Sequence, residues 1–492
     1  MKTALIALYV LTVTASVWIA LLAVPQTDHS FSSEVAKNSG LIGIGVLLMQ
    51  FVLAARLPLT NRFFGLDSVM VFHRSMGIFA LALLLVHPVL LAFGEGNWKL
   101  LYGLDQTWYI WAGKTTLLLL LVHILISVFR RSLNLSFERW RVLHNRLAIA
   151  IIALALLHSW YAGGDMSALP MQVLWVLLGG VAIAAFVWHR LIRPQRLAAK
   201  PYRVEDVRQE SPDVWTLRLA LPEGEVSEHL PGQFHFLTFP NSAAVPAEEH
   251  HFTISSSPTL NGFVEFTIKA SGDFTSQIGE IQRGETVIVH GDFGRFSYTL
   301  QRDESELVFI AGGIGITPLM SMLRHMRDTD DKRRVVILYG NKTEADILFR
   351  SELADMQSMQ EPILHVEYVL SEPDEMWPGE SGHIDGKLLN RLLGGDLMKT
   401  GFYICGPAAM TDQVVTALRR QKVPRRNLHT ESFSLTEDTA PTSARSVLRK
   451  WVTALIVVVA VAVTVIVAEM RTDGNEPSGD GHEHSRSHGE SA

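Results

Sequence analysis

Cysteine is almost missing: Cys405 stands alone among 492 residues. A lone thiol excludes an intrachain disulfide, a self-contained four-cysteine iron–sulfur cluster and covalent haem attachment through C-x-x-C-H. A surplus of positive charge is missing as well. The chain has 43 Lys and Arg against 49 Asp and Glu, a formal net charge of −6, which argues against a nucleic-acid partner.

Apolar residues are plentiful, 48% of the chain, and they concentrate in the first 192 residues and in one late stretch. Six apolar segments near 4–24, 41–57, 70–93, 109–129, 142–162 and 171–189 each approach the ~20 residues that a bilayer-crossing helix needs. The first has too long an apolar run for a signal-peptide h-region and is expected to be a retained helix. Arg56 and Arg62, then Arg130, Arg131, Arg139 and Arg141, then Arg190, Arg193, Arg196 and Lys200 fall on one side, which the positive-inside rule makes cytoplasmic. The opposite loops hold Asp28, Glu34, Glu95, Asp105 and Asp165 against Lys37 and Lys99, and none is long enough for an obvious substrate site. Trp108, Tyr109, Trp111, Trp160, Tyr161 and Trp188 lie near segment ends, as aromatic belts do.

Within this apolar part His73 and His87 form one pair and His144 and His158 another, and both separations are fourteen residues. Fourteen residues of α-helix rise ~21 Å and turn about 40° short of four full turns, so the members of each pair share one helix face at two depths. Ionisable side chains are costly inside a membrane and are functional candidates there. Two neighbouring helices so marked predict a clamp for two stacked haems, each iron taking one imidazole from either helix; the alternative is unrelated polar packing. In the topology above, His73 and His144 hold the inner haem and His87 and His158 the outer one, dividing a ~30 Å hydrocarbon core into short electron hops. Without C-x-x-C-H both haems are of the non-covalent b type. His123 is left over, as a polar residue hydrogen-bonded to a neighbouring helix or as a haem contact. Arg74 and Arg146 follow the inner ligands and suit haem propionates or the ordinary positive-inside placement.

After Arg196 the character becomes that of a soluble protein. Residues 201–300 alternate in strand fashion, as in Val214-Trp-Thr-Leu-Arg-Leu, Gly262-Phe-Val-Glu-Phe-Thr-Ile-Lys and Thr286-Val-Ile-Val-His, the pattern of a small antiparallel barrel. From Glu306 the pattern is strand, Gly-rich turn, helix: Leu307-Val-Phe-Ile-Ala, Gly312-Gly-Ile-Gly-Ile-Thr-Pro, then a helical stretch from Leu319. Strands at 334–339, 364–370 and Gly401-Phe-Tyr-Ile-Cys, separated by helical stretches, complete an α/β doubly wound domain. The turn lacks the strict G-x-G-x-x-G spacing, yet its glycines let the backbone approach a phosphate at a helix N-terminus.

With these parts in this order the chain resembles the NADPH oxidase and ferric reductase family, whose cytoplasmic half is similar to ferredoxin-NADP reductases; the resemblance covers roughly residues 40–435. The histidine pairs match the family's haem ligands one for one. Pro231-Gly-Gln-Phe234 looks like the P-G-Q strand of the flavin barrel, and His250-His-Phe-Thr-Ile-Ser-Ser256 like its H-P-F-T-I-S-S motif, with His251 in place of proline. The resemblance implies His250 near the flavin pyrophosphate, Phe252 stacked on the isoalloxazine ring, and Thr253 offering hydroxyl and amide near N5. Gly272-Asp-Phe-Thr275 matches a G-D-[WF]-T turn whose amides meet the FAD pyrophosphate at a helix start, and Gly291-Asp-Phe-Gly294 resembles the G-P-Y-G loop. Gly312, Gly313, Gly315 and Thr317 match the turn that takes the nicotinamide dinucleotide's pyrophosphate. Cys405-Gly406-Pro407 matches the C-G-P turn beside the nicotinamide, with Cys405 in a positioning role, and Phe433 matches a late aromatic near the flavin. The cofactor is NADPH or NADH; Lys342 and Arg350 favour NADPH by offering charge to a 2′-phosphate, unless both belong to a solvated face.

The end of the chain departs from the family. After Arg449 and Lys450 comes an apolar run from Val452 to Ala468, an expected inside-to-outside helix, and then a tail with Asp480, His482, Glu483, His484 and His488 that suits a metal ion or is a solvated terminus. The expected organisation is a transmembrane haem-binding core over 1–200, a FAD-binding β-barrel over 201–300, an NAD(P)-binding α/β domain over 301–435, a linker over 436–450, a C-terminal transmembrane helix over 451–469 and a His-rich tail over 470–492. The expected function is transmembrane electron transfer in the cell membrane, from cytoplasmic NAD(P)H through FAD and two haems b to an acceptor outside. Bis-histidine ligation leaves the acceptor to be reduced at the haem edge. That acceptor is Fe³⁺ or Cu²⁺ in a metal reductase, which the tail favours; the alternatives are O₂ in a superoxide-forming oxidase, a quinone, or a partner protein.

Overall fold

Six helices of the computed structural model are long and apolar enough to cross a membrane: Lys2–Ala23, Phe31–Ala54, Leu66–Gly94, Trp108–Val128, Phe137–Ala162 and Leu169–Ala198. Residues 1–23, 30–260, 262–301, 303–360, 362–392 and 397–431 are described. The second helix starts at Phe31 rather than near 41, because its first turns are polar but locally satisfied. The Ser30 hydroxyl accepts the Ser33 amide at 3.2 Å, and Lys37 pairs with Glu34 at 3.2 Å one turn on. The fifth helix starts where the Ser136 hydroxyl accepts the Arg139 amide at 3.4 Å.

Six strands build the antiparallel domain: β1 (Tyr202–Ser211), β2 (Val214–Ala220), β3 (Phe234–Thr238), β4 (His250–Thr253), β5 (Phe263–Lys269) and β6 (Thr286–Phe293), in the order β4-β3-β6-β1-β2-β5. A bridge between Ile254 and Phe266 ties the end of β4 back to β5, so the two edges of the sheet meet as a barrel requires. Alternating residues point inward, and Leu217, Leu219, Leu237, Phe239, Val264 and Phe266 are fully buried there.

The second sheet is parallel throughout: β7 (Glu306–Gly312), β8 (Arg334–Asn341), β9 (Ile363–Leu370), β10 (Glu380–Ser381), β11 (Thr400–Cys405) and β12 (Leu428–Glu431), ordered β10-β9-β8-β7-β11-β12. Leu307 to Ala311 of β7 are buried without alternation, as a strand covered on both faces demands. The chain leaves β7 toward β8 and returns on the other flank with β11. The crevice at the carboxyl ends of β7 and β11 is therefore the topological switch point, where open α/β sheets bind ligands.

The chain divides into two compact units, one holding residues 1–2, 52–73 and the soluble domains from 183 onward, the other residues 3–51 and 74–182. Within the first unit, the connection between the second and third long helices is seated on the barrel. Arg56 pairs with Glu249 at 3.0 Å and lies 4.0 Å over the Phe236 ring, and the Asn61 side chain donates to the Asp292 carbonyl at 2.6 Å. Leu66 and Met70 of the third helix pack with Phe234, Phe236 and Phe293. The linker, C-terminal helix, His-rich tail and Phe433 all lie outside the described residues.

Candidate functional site

In the helical unit His87 and His158 face each other, ring centroids 6.4 Å apart and ring planes at 74°. An iron bound by two imidazole nitrogens at ~2.0–2.1 Å each needs centroids about 6.3 Å apart, so the two rings are spaced for a shared metal. His87 Nδ1 donates to the Ala36 carbonyl at 2.8 Å, and His158 Nδ1 donates to the Tyr109 carbonyl at 2.8 Å. A proton used on Nδ1 leaves the Nε2 lone pair for a metal, the usual arrangement around a ligating imidazole. The residues present therefore fit the outer haem that the sequence predicts.

Two glycines make this geometry possible, and their spacing relative to the histidines was not read from the sequence. A Cβ on Gly40 would stand 3.0 Å from His87 Nδ1, and one on Gly113 would stand 2.7 Å from His158 Nδ1.

His144 lies beside His123, with ring centroids 4.2 Å apart, and Trp140 is 4.9 Å away on the same helix. Trp140 Nε1 donates to the Ser127 hydroxyl at 3.2 Å, and that hydroxyl donates to the His123 carbonyl at 2.7 Å. His123 is thus a packed ring neighbour of a predicted ligand. His73, in the first unit, sits one turn beyond the Met70 that packs on the barrel aromatics.

On the barrel, β3 and β4 pair so that Phe234 faces Thr253 and His235 faces Phe252. Phe252 belongs to a set of nearly parallel rings: Phe274 lies 6.3 Å from it at 24°, and His250 lies 3.9 Å from Phe274 at 27°. Flat rings so aligned suit stacking on a planar heterocycle, and Phe274 is the aromatic of the Gly272–Thr275 turn. In the Gly272–Thr275 turn the Thr275 hydroxyl accepts the amides of Ser271 and Gly272, both at 2.9 Å. The chain then enters the short 3₁₀ helix Thr275–Glu280, which starts at Thr275.

Between β3 and β6, His235 Nε2 meets the Asp292 carboxylate at 2.6 Å, and the Gly291 position would put a Cβ 2.1 Å from the His235 ring. Burial alone would raise the Asp292 carboxyl, but the His235 hydrogen bond and neighbouring imidazole charge hold it below the usual range. His229, its ring 6.1 Å from His235, is pushed down to about 4 by burial first and by His235 second.

At the switch point two motifs ninety residues apart in sequence come into contact. Gly312 ends β7, Gly313 takes φ +54° and the helix Ile316–Asp328 begins after Gly315, with Thr317 Oγ1 donating to the Ile314 carbonyl at 3.1 Å. Cβ atoms would stand 2.8 Å from Pro407 at Gly312 and 3.0 Å from the Gly312 amide at Gly406. The Met410 side chain lies against both glycines, its Sδ 2.8 Å from the Cβ position of Gly312 and its Cε 2.6 Å from that of Gly406. The two turns thus approach each other backbone to backbone beside one methionine, and glycine-rich turns of this kind suit a pyrophosphate. Cys405 is fully buried and burial pushes its thiol well up, so it is a neutral strand-end residue rather than a thiolate. Its neighbour across β11 and β12 is Glu431, whose buried carboxyl is also raised, by burial and then by Asp67. After β8, Arg350 pairs with Glu344, while Lys342 is exposed.

Three family models match successive parts of the chain. Residues 39–156 match the family model described as ferric reductase like transmembrane component, residues 201–298 the oxidoreductase FAD-binding domain, and residues 309–416 the oxidoreductase NAD-binding domain. The chain is 33% identical over 180 residues to cytochrome b5 reductase 4 of Rattus norvegicus, spanning 35% of this chain but only 34% of that protein. It is 28% identical over 265 residues to the reductase component of propane 2-monooxygenase of Mycolicibacterium goodii, spanning 52% of this chain and 70% of that one. Among solved structures, the CS-b5R domains of human Ncb5or align at 28% identity and a TM-score of 0.43, over 47% of this chain and 68% of that chain.

Proposed function

Since this chain has the architecture of the ferric reductase and NADPH oxidase family and is a membrane-spanning, flavin-dependent NAD(P)H oxidoreductase, we propose that it carries electrons from cytoplasmic NAD(P)H through FAD and two haems b to an acceptor on the outer face, with a chelated ferric or cupric ion as that acceptor. The observation that carries this reading is the His87–His158 pair, spaced for one iron and with both Nδ1 protons already committed to carbonyls. FAD supplies the change from two-electron to one-electron chemistry and the haems supply the relay.

The chain's own residues divide the remaining work. Gly312, Gly313, Gly315, Thr317, Gly406 and Pro407 hold the dinucleotide at the switch point, and Cys405 closes the floor of the crevice. His250, Phe252, Thr253, Gly272 and Thr275 serve the flavin, Thr253 from its register position opposite Phe234, and the motif resemblance adds Phe433. Phe234 also shares a packed cluster with Leu66, at the start of the helix that carries His73. His73 and His144 then serve the inner haem. Basic residues Arg56, Arg62, Arg190, Arg193 and Arg196 support placing this side in the cytoplasm. The C-terminal run 451–469 would carry His482, His484 and His488 to the outer side as a metal-binding tail.

NADPH or NADH is added to the purified full-length chain, with and without oxygen, while both haem spectra and a ferrous chelator are followed. Haem reduction followed by ferrous formation under anaerobic conditions is expected. Superoxide release with no ferric reduction would replace the acceptor with O₂; dependence on an added protein would make the chain an electron-supply component; haems that never reduce would end the reading.

A further inference from the structure

We propose that Gly40 and Gly113 are positioning residues that hold the two axial imidazoles of the outer haem in crossed planes; the proposal rests on the reading that His87 and His158 share one iron. The two seats are built alike. On the second helix the ring of His87 lies against Gly40 and its Nδ1 reaches the Ala36 carbonyl; on the fourth the ring of His158 lies against Gly113 and its Nδ1 reaches the Tyr109 carbonyl. In both, the accepting carbonyl is four residues before the glycine, that is, one helical turn along the same face.

Neither glycine has the positive φ that would call for glycine on backbone grounds, and glycine weakens a helix interior. Space is the reason for both: an added Cβ would stand 3.0 Å from Nδ1 and 3.2 Å from Cε1 of His87, and 2.7 Å from both of those atoms of His158. Gly77 and Gly180, on other spanning helices, have nothing within 4 Å of the same position. Each imidazole is therefore fixed twice, by a carbonyl at its edge and by bare backbone against its ring, and the two seats set the planes 74° apart.

Crossing has an electronic consequence. Imidazoles in parallel planes act on the same iron d orbital and split it from its partner, whereas crossed planes act on one orbital each and leave the two nearly equal in energy. Low-spin ferric iron between crossed ligands gives a strongly anisotropic EPR signal with a single large g value, and parallel ligands give a rhombic one. The protein controls the metal here through groups that never touch it.

Low-temperature EPR of the oxidised, detergent-purified full chain tests this, the outer-haem signal being the part lost in His158→Leu. The strongly anisotropic signal is expected for the wild type. Gly40→Ala and Gly113→Ala should each shift it toward the rhombic form while optical haem content stays within about a fifth of wild type. Should either alanine expel the haem, the wild-type spectrum decides alone. A rhombic outer-haem signal in the wild type overturns the proposal, as does an unshifted signal in both alanine variants. A chain that takes up no haem overturns the underlying ligand reading and this inference with it.

Discussion

Gly315 approaches Cys405 so closely that a Cβ on the glycine would stand 2.2 Å from the cysteine's carbonyl oxygen. The obstacle is backbone, which cannot swing aside as a side-chain tip does. Gly315→Ala should therefore displace the turn after β7, cost on the order of 1–3 kcal/mol of stability, and slow flavin reduction by NAD(P)H at least tenfold while FAD content stays near normal. Rapid-mixing flavin reduction beside a flavin assay checks it. Normal reduction kinetics would mean that the turn does not meet the dinucleotide.

The histidine assignment predicts an ordered loss of electron transfer. Replacing His87 or His158 with Leu should halve the haem content and leave the remaining haem reducible by NAD(P)H. Replacing His144 should stop electrons at the flavin. Haem content and anaerobic optical reduction of each variant measure this, and a full haem complement in all of them would refute the ligands.

Dinucleotide choice should respond to Glu344. Its pairing with Arg350 occupies the guanidinium that would meet a 2′-phosphate, yet the two side chains are 43% and 49% exposed, so the pair is worth under about 1 kcal/mol. Glu344→Gln should lower KM for NADPH by about three- to fivefold and leave KM for NADH within about twofold. An unchanged ratio of the two kcat/KM values would place Arg350 outside the site.

A pH response is built into the barrel. His229 is 2% exposed and its folded-state value is about 4, below the ordinary 6.5, so between those values the unfolded chain binds the extra proton. Its contribution to stability is fully present above about 6.5 and is lost as pH falls toward 4, a change of about 3 kcal/mol at most. The temperature at which flavin fluorescence is released should drop across that window. His229→Gln should flatten the drop, and a variant that tracks the wild-type curve would assign the acid response elsewhere.

Much of the architecture was legible because its signals are local. A spanning helix must satisfy its own backbone, so apolar runs of sufficient length reveal it; parallel strands buried on both faces appear as continuous runs such as Leu307 to Ala311. Where local polarity conflicted with the helix, reading failed: Ser33, Glu34 and Lys37 concealed the first turns of the second helix because their partners lie within those turns.

The sequence by itself determined the candidate ligands, the two equal spacings that place them on shared helix faces, and the order of membrane core, barrel and nucleotide domain, because helical periodicity and strand alternation are properties of neighbouring residues. Only the tertiary structure decided that His87 and His158 meet at 6.4 Å with crossed planes, that Gly40 and Gly113 make room for them, that Phe274 joins the ring stack on the barrel, and that the glycines after β7 press on the turn after β11. Each of these depends on the separation between segments far apart in the chain. That separation is set by how helices and sheets pack, which no single segment encodes.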